Sequence, residues 1–260
     1  MFNFFKKKDV EPVIGESREV IKEEYNDILP LSNYFHSETG ITFDNHISIL
    51  KNKVISFCRQ KKIASFSKLL KDIKTNSIIK QELIDHLTTN ETFFYREFKQ
   101  IEELVKLVKN SNSKVEILSA PCATGEEPYS IAIALLEAGL SPSSFSIVGI
   151  DINSDAISKA SIAIYGERNL RKLSSKIINE YFTQVDSKYV LNQNIKSLVS
   201  LRVTNLFDSS FKDIGKFDFV FSRNMLIYFD KETKLKAKTI LENMRKNKKY
   251  NVFFGHADLF

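Results

Sequence analysis

At 260 residues, with 43% hydrophobic and 12% aromatic side chains, the chain has the apolar content of a packed core, and its formal net charge of +6 points to an acidic partner. No stretch approaches the ~18 apolar residues of a membrane span, and residues 1–5 run straight into Lys6, Lys7 and Lys8, so neither a transmembrane helix nor a signal peptide is read and a cytoplasmic location is expected. The two cysteines, Cys58 and Cys122, and the scattered histidines His36, His46, His86 and His256 make no metal-ligand pattern, so no metal is expected.

Residues 1–28 read as a mixed-charge extension. From 31 to 87 the pattern is helical, with helices predicted over 31–37, 44–61, 65–73 and 77–86 separated by Gly40 and short polar breaks. This predicts a small all-helical domain over 29–90. Its second helix concentrates Lys51, Lys53, Arg59, Lys61 and Lys62 beside an apolar side of Ile47, Leu50, Val54, Ile55 and Cys58. Taken alone, such a face is most simply a solvated one. The next stretch, 87–109, pairs the capping residues Thr88, Thr89 and Asn90 with an apolar stripe of Phe93, Phe94, Phe98, Ile101, Leu104 and Leu107, and is predicted to bridge two domains as a helix. Arg96, set among aromatics, could grip a carboxylate with its planar fork or pair with Glu91 or Glu97.

Residues 114–130 (KVEILSAPCATGEEPYS) predict a strand, a tight small-residue turn and a helix opened by Glu126, Glu127 and Pro128. The acidic pair would repel a pyrophosphate and attract an ammonium or sulfonium group, although each glutamate could simply complement the helix dipole. The run 145–150 (FSIVGI) predicts a second strand ending at Asp151, about 20 residues beyond the turn, where a carboxylate can accept from both ribose hydroxyls. Asp151 could instead cap the helix predicted over 154–164. A further helix is predicted over 168–182. Segments 189–191 and 198–201, separated by NQNIKS, read as an antiparallel hairpin, part of a small β-subdomain around 183–202 whose edge could add a strand from a partner. The continuous run 217–222 (FDFVFS) predicts a buried parallel strand carrying Ser222, Arg223, Asn224 and Tyr228 at or beyond its carboxyl end, and 250–255 a last strand.

Together, LTTNETFFYRE, SAPCATGEEPYSIAIAL, GIDINSDAISKA and FDFVFSRNMLIYFDKET, in this order and spacing, resemble the CheR family of chemotaxis receptor glutamate O-methyltransferases. The resemblance implies an α/β fold: a Rossmann-like class I methyltransferase domain over 91–260, dependent on S-adenosylmethionine (AdoMet), with a small inserted β-subdomain and a preceding all-helical domain. It implies AdoMet as cofactor, S-adenosylhomocysteine (AdoHcy) as product, and glutamate methyl esters on the cytoplasmic methylation helices of methyl-accepting receptors. Position by position, it implies cofactor contacts at Asn90, Thr92, Arg96, Glu126, Asp151, Asn205, Leu206, Ser222 and Arg223. It further implies catalytic roles for Arg96 and Tyr228, and receptor docking through Lys51, Lys53, Arg59, Lys61 and Lys62.

The last segment, RKNKKYNVFFGHADLF, lacks the Pro-Gly-Gly turn of that family and stops where the family continues into a further strand pair. A monomer is expected, with no nucleic acid and no membrane insertion. A nucleic-acid methyltransferase fits the charge but would commonly carry Asn-Pro-Pro-aromatic where this chain has SRNMLIY, and a non-catalytic AdoMet-binding signalling module is the other alternative.

Overall fold

A computed structural model of the chain describes residues 24–258, so most of the expected N-terminal extension, residues 1–23, lies outside the described residues. Residues 24–28 pack onto the helices that follow rather than extending from them: Tyr25 Oη donates to Ile63 O (2.8 Å) and Ile28 is buried. Four helices come first: α1 (Leu29–Thr39), α2 (Ile47–Lys61), α3 (Phe66–Thr75) and α4 (Ser77–Leu87). The Ser65 hydroxyl accepts from Lys68 N at the start of α3, and the Asn76 side chain accepts from Ile78 N and Ile79 N at the start of α4, satisfying donors that a first helical turn leaves unpaired. Leu50, Val54, Phe57 and Cys58 recur at helical spacing on α2 and share one buried cluster with Leu31, Phe35, Leu69 and Leu83.

The helix expected over 87–109 begins only at Phe98. Helix α5 spans Phe98–Lys109, and the residues before it are irregular because their amides are engaged elsewhere: Phe94 N donates to Asn169 O (2.9 Å) and Tyr95 N to Ser130 Oγ (3.0 Å). Tyr95 and Glu97 take positive φ (59° and 49°), which ends any helical path. The aromatic stripe is therefore divided. Phe94 is fully buried, edge-on to Tyr165 and Phe182, while Phe93 lies beneath the guanidinium of Arg171.

Beyond α5 the described chain builds two sheets. The larger contains β1 (Val115–Ser119), β2 (Phe145–Asp151), β6 (Val199–Val203), β7 (Phe219–Ser222) and β8 (Phe253–Phe254), all parallel, in the order β6-β2-β1-β7-β8. The smaller is antiparallel, β3 (Ile164–Gly166), β5 (Lys188–Leu191) and β4 (Phe182–Val185), in the order β3-β5-β4. The intervening helices are α6 (Glu126–Glu137), α7 (Ser154–Ile162), α8 (Glu167–Leu170), α9 (Ser175–Tyr181), α10 (Gln193–Lys196) and α11 (Lys231–Asn243). Alternation places Ile117, Phe219 and Phe221 in the cluster that includes α5 and α6 residues, and Leu118 and Val220 in the opposite cluster with Ala237 and Leu241 of α11. Burial on both faces explains why FDFVFS reads as a continuous apolar run.

Three expectations are corrected. The residues 198–201 do not return as a hairpin against 189–191: β6 pairs in parallel with β2, from Ile147↔Val199 to Asp151↔Val203. The polar NQNIKS separating them forms the short helix α10 with Ile195 buried, and the hairpin turn lies earlier, at Asp186 (φ 52°), joining β4 to β5. The single helix expected over 168–182 is the two pieces α8 and α9, and the last strand is only Phe253–Phe254.

Strand order reverses beside β1, which puts the ligand crevice of such a sheet beyond the carboxyl ends of β1, β2 and β7. The first four helices are tied across that end. Asp85 of α4 accepts from Ser154 N (2.7 Å) and Gln81 Nε2 (2.9 Å), and its carbonyl accepts from Asn153 Nδ2 (3.1 Å). Replacing this carboxylate, Asp85→Ala, is expected to lower the unfolding free energy by roughly 1–3 kcal/mol, read as a lower urea midpoint with an unchanged slope.

Candidate active site

The turn from β1 into α6 passes through a cis Ala120–Pro121 peptide and positive φ at Ala123 (47°) and Gly125 (92°). A Cβ at Gly125 would stand 2.8 Å from Tyr129 Cε2 and 2.9 Å from Ala160 Cβ, so the turn requires glycine there. The two glutamates that open α6 then diverge. Glu127 Oε1 accepts from Ser119 Oγ (2.8 Å) and Oε2 from Arg223 Nε, an ion pair whose side chains are only 9% and 3% exposed. Arg223 Nη1 continues to the Arg96 carbonyl (2.6 Å). Glu126 instead accepts from Thr124 Oγ1 (2.6 Å) and Asn169 Nδ2 (2.7 Å), and its burial raises the carboxyl above its ordinary range.

At the end of β2, Asp151 Oδ2 accepts from Ala123 N (2.8 Å) and Oδ1 from Asn153 N (2.9 Å), so one carboxylate holds the β1 turn against the end of β2. Burial pushes its carboxyl up while these backbone donors pull it down. The cap of α7 is Asn153, whose Oδ1 accepts from Ala156 N (2.7 Å). This leaves Asp151 on the wall of a cavity of about 690 Å3 that opens beyond the strand ends, a size suited to a small-molecule ligand.

Asn90, Thr92, Arg96, Asp151, Asn205, Leu206 and Arg223 are all brought to this cavity, and so is Tyr228. Glu126 and Ser222 are not among the described residues that line it. Glu126 is turned into the contacts above, and Ser222 is fully buried within β7. Glu127, one position on, lines the cavity in place of Glu126. The sequence signal was the Glu-Glu pair, which spacing alone does not resolve into one wall residue and one buried residue.

The roof comes from the helical segment. Thr39, Ile41, Thr42 and Phe43 line the cavity, and Thr42 N donates to Tyr228 O (2.9 Å), pairing the α1–α2 connection with the loop after β7. Nothing in the spacing of residues 39–43 announced this position. Asn205 Oδ1 accepts from Phe207 N (3.0 Å) while Nδ2 donates to Glu38 O (2.6 Å), joining the opposite wall to α1. At the mouth, Arg96 Nη1 donates to the Glu91 carbonyl (3.2 Å), not to the carboxylate of Glu91 or Glu97. Tyr228 is 40% exposed; its partial burial pushes the hydroxyl up, and the Arg96 charge pulls it back.

Of the cations expected to dock a receptor, Lys53 stands apart: Arg59 and Lys61 each lie within about 80° of Lys51 around α2. Lys51 and Lys53 are about 200° apart on α2 at 3.6 residues per turn. Lys53 lines the cavity and donates to Leu87 O (3.2 Å), Lys61 pairs with Glu82 (2.6 Å), and Arg59 and Lys62 are exposed. No group of three or more His, Cys, Asp or Glu that could hold a metal ion occurs among the described residues, and no helix there is long and apolar enough to cross a membrane.

The donor set fits a nucleoside joined to a cationic amino acid: the carboxylates of Asp151 and Glu127 share the cavity with the apolar walls of Ile152, Leu206 and Phe207. With the parallel sheet, this defines a class I AdoMet-dependent methyltransferase. Residues 90–260 match the family described as CheR methyltransferase, SAM binding domain. Over 239 residues the chain is 37% identical to a chemotaxis protein methyltransferase of Campylobacter jejuni, covering 91% of this chain and 88% of that one. Over 247 residues it is 31% identical to chemotaxis protein methyltransferase 2 of Vibrio cholerae, covering 89% and 85%. The chain belongs to the CheR methyltransferase family and uses AdoMet.

The buried ion pair yields a direct test of the site's framework. Arg223→Ala leaves the Glu127 carboxylate buried without its cation and is expected to cost ~3–5 kcal/mol of stability. In denaturant unfolding, Glu127→Ala combined with Arg223→Ala should lose clearly less than the sum of the single changes.

Proposed function

We propose that this methyltransferase transfers the methyl group of AdoMet to glutamate side chains in the cytoplasmic methylation helices of chemotaxis receptors, leaving methyl esters and AdoHcy. The observation that carries this reading is that Arg96 and Tyr228, from distant parts of the chain, line the same cavity as Asp151. Asp151 would accept from the ribose hydroxyls, Glu127 would face the cationic amino-acid end, and Asn205 with Leu206 would flank the adenine. Asn90, Thr92 and Arg223 would complete the edge of the cofactor site. Bound AdoMet supplies a methyl group already activated on its sulfonium, so a carboxylate ionised at neutral pH needs alignment and desolvation but no base.

The chain's own contribution follows from its geometry. Arg96 presents a planar fork to the incoming carboxylate. Tyr228, whose phenol is protonated at neutral pH, donates a hydrogen bond that orients it. Thr39, Ile41, Thr42 and Phe43 of the roof and the loop 223–228 line the cavity in which the reacting groups would meet. Helix α2 would meet the acidic receptor surface with Lys51, Arg59, Lys61 and Lys62, while Lys53 faces the cavity, consistent with the net charge of +6. The protein would act as a monomer in the cytoplasm.

Labelled AdoMet and a receptor cytoplasmic fragment test the reading. The label should be released as methanol by mild alkali, which distinguishes a carboxyl ester from a methylated base or amine. Arg96→Ala should lower the rate by ~10²–10³-fold, and alkali-stable label in the wild type would exclude ester formation. For the cofactor, Asp151→Asn should weaken AdoHcy binding in calorimetry by about 10-fold or more, whereas Glu126→Gln should stay within about twofold.

A further inference from the structure

We infer that the turn 255–258 is a clamp that fixes the two segments carrying Arg96 and Tyr228 against one another, with Asp258 as its positioning residue. The inference rests on the roles proposed for Arg96 and Tyr228. Asp258 is only 4% exposed although it lies near the end of the described chain. Its Oδ1 accepts from Leu226 N (2.9 Å) and its Oδ2 from Asn224 N.

These donors belong to the loop that leads to Tyr228. The short 3-10 turn Leu226–Tyr228 has no side-chain cap from Met225, the residue before it, and Asn224 is held at φ 60°. Asp258 supplies from far along the chain the cap that the local sequence omits. Without it, the buried amide of Leu226 and the partly buried amide of Asn224 lose their acceptor, and the turn is free to adopt another path.

The same turn grips the other segment. His256 N donates to Glu97 Oε2 (3.2 Å), with His256 Nδ1 2.9 Å from that oxygen, and Gln100 Nε2 donates to Phe254 O (2.7 Å). Glu97 directly follows Arg96, whose carbonyl is already taken by Arg223. The approach is close: a Cβ on Gly255 would lie 3.0 Å from both Asn224 N and Asp258 Oδ2. Asp258 itself is not among the described residues lining the cavity, so its effect on the reaction passes through the loop.

The test uses Asp258→Ala and Asp258→Asn in the full chain, with methyl transfer to a receptor fragment, AdoHcy calorimetry and amide hydrogen exchange. Asp258→Ala is expected to reduce kcat by about 10–100-fold, as misplacement of reacting groups does, with AdoHcy affinity within about twofold. Exchange should quicken at 224–228 and not in β1 or β2. Asp258→Asn, which keeps one carbonyl acceptor, should recover part of kcat, and it carries the same measurements should Asp258→Ala fail to fold.

Unchanged exchange at 224–228, or quicker exchange with unchanged kcat, overturns the clamp. Loss of AdoHcy affinity in step with kcat also overturns it, because that marks a general structural role. Exchange reads the clamp without any substrate, so an inactive wild type would overturn the proposed reaction while exchange still decides the clamp.

Discussion

The pairing of Glu127 with Arg223 is the constraint on which the active-site framework depends. Both side chains are almost wholly buried, and a charge in that position is stable only if its partner and its remaining donors are all in place. Glu127 is bound by Ser119 at the end of β1, and Arg223 by the carbonyls of Arg96 and Glu97, so satisfying two charges also fixes the α6 start, two strand ends and the irregular approach to α5. The ion pair sacrifices desolvation energy, and an apolar pair of similar volume would hold the same elements together at less cost. What an apolar pair lacks is direction: the guanidinium sets where the peptide of Arg96 lies.

The cavity is closed by contacts between the helices at the start of the chain and the sheet. Asp85 holds the end of α4 to the DINS segment, Asn205 reaches Glu38, His36 lies 2.7 Å from Asp230 at the start of α11, and Thr42 bonds the Tyr228 carbonyl. Most of these are polar bonds at partly exposed positions, each worth a modest net amount. The two hydrophobic clusters of the α/β part and the one cluster of the helical part are, by contrast, built from fully buried side chains. Apolar contacts also cross between the parts: Ile152 packs against the helical cluster, and Ile41 against both that cluster and one of the sheet.

Where local pattern sufficed, the sequence was legible. Ile117 and Leu118 alternate between the two faces of the sheet, FDFVFS is buried on both, and the four early helices follow their apolar spacing. The irregular stretch before α5 was hidden because Phe93, Phe94 and Phe98 imitate a helical stripe while Phe94 and Tyr95 bond Asn169 and Ser130, far along the chain. The pairing of β6 was hidden for the same reason: a short apolar segment does not encode its partner, and β6 chose β2 over its near neighbour β5. Within the site, Asp151 was recognisable as the residue ending a strand, but local pattern does not tell Glu126 from Glu127, and the family resemblance implied Glu126 and Ser222, neither of which is among the described residues lining the cavity.

The sequence by itself determined the parallel sheet, the helical segment before it and the strand-turn-helix ending in Glu126 and Glu127, because these depend on periodicity and turn chemistry; Asp151, Arg96 and Tyr228 were grouped by four short motifs whose order resembles the CheR family. Tertiary structure alone decided which glutamate faces the cavity, that Thr39, Ile41, Thr42 and Phe43 roof it, that Lys53 of α2 lines it, and that Asp258 caps a loop it does not adjoin in the chain. The Glu127 and Asp258 contacts are long-range pairings of buried carboxylates, and such groups are satisfied by whatever donor the fold brings to them rather than by a neighbour in sequence.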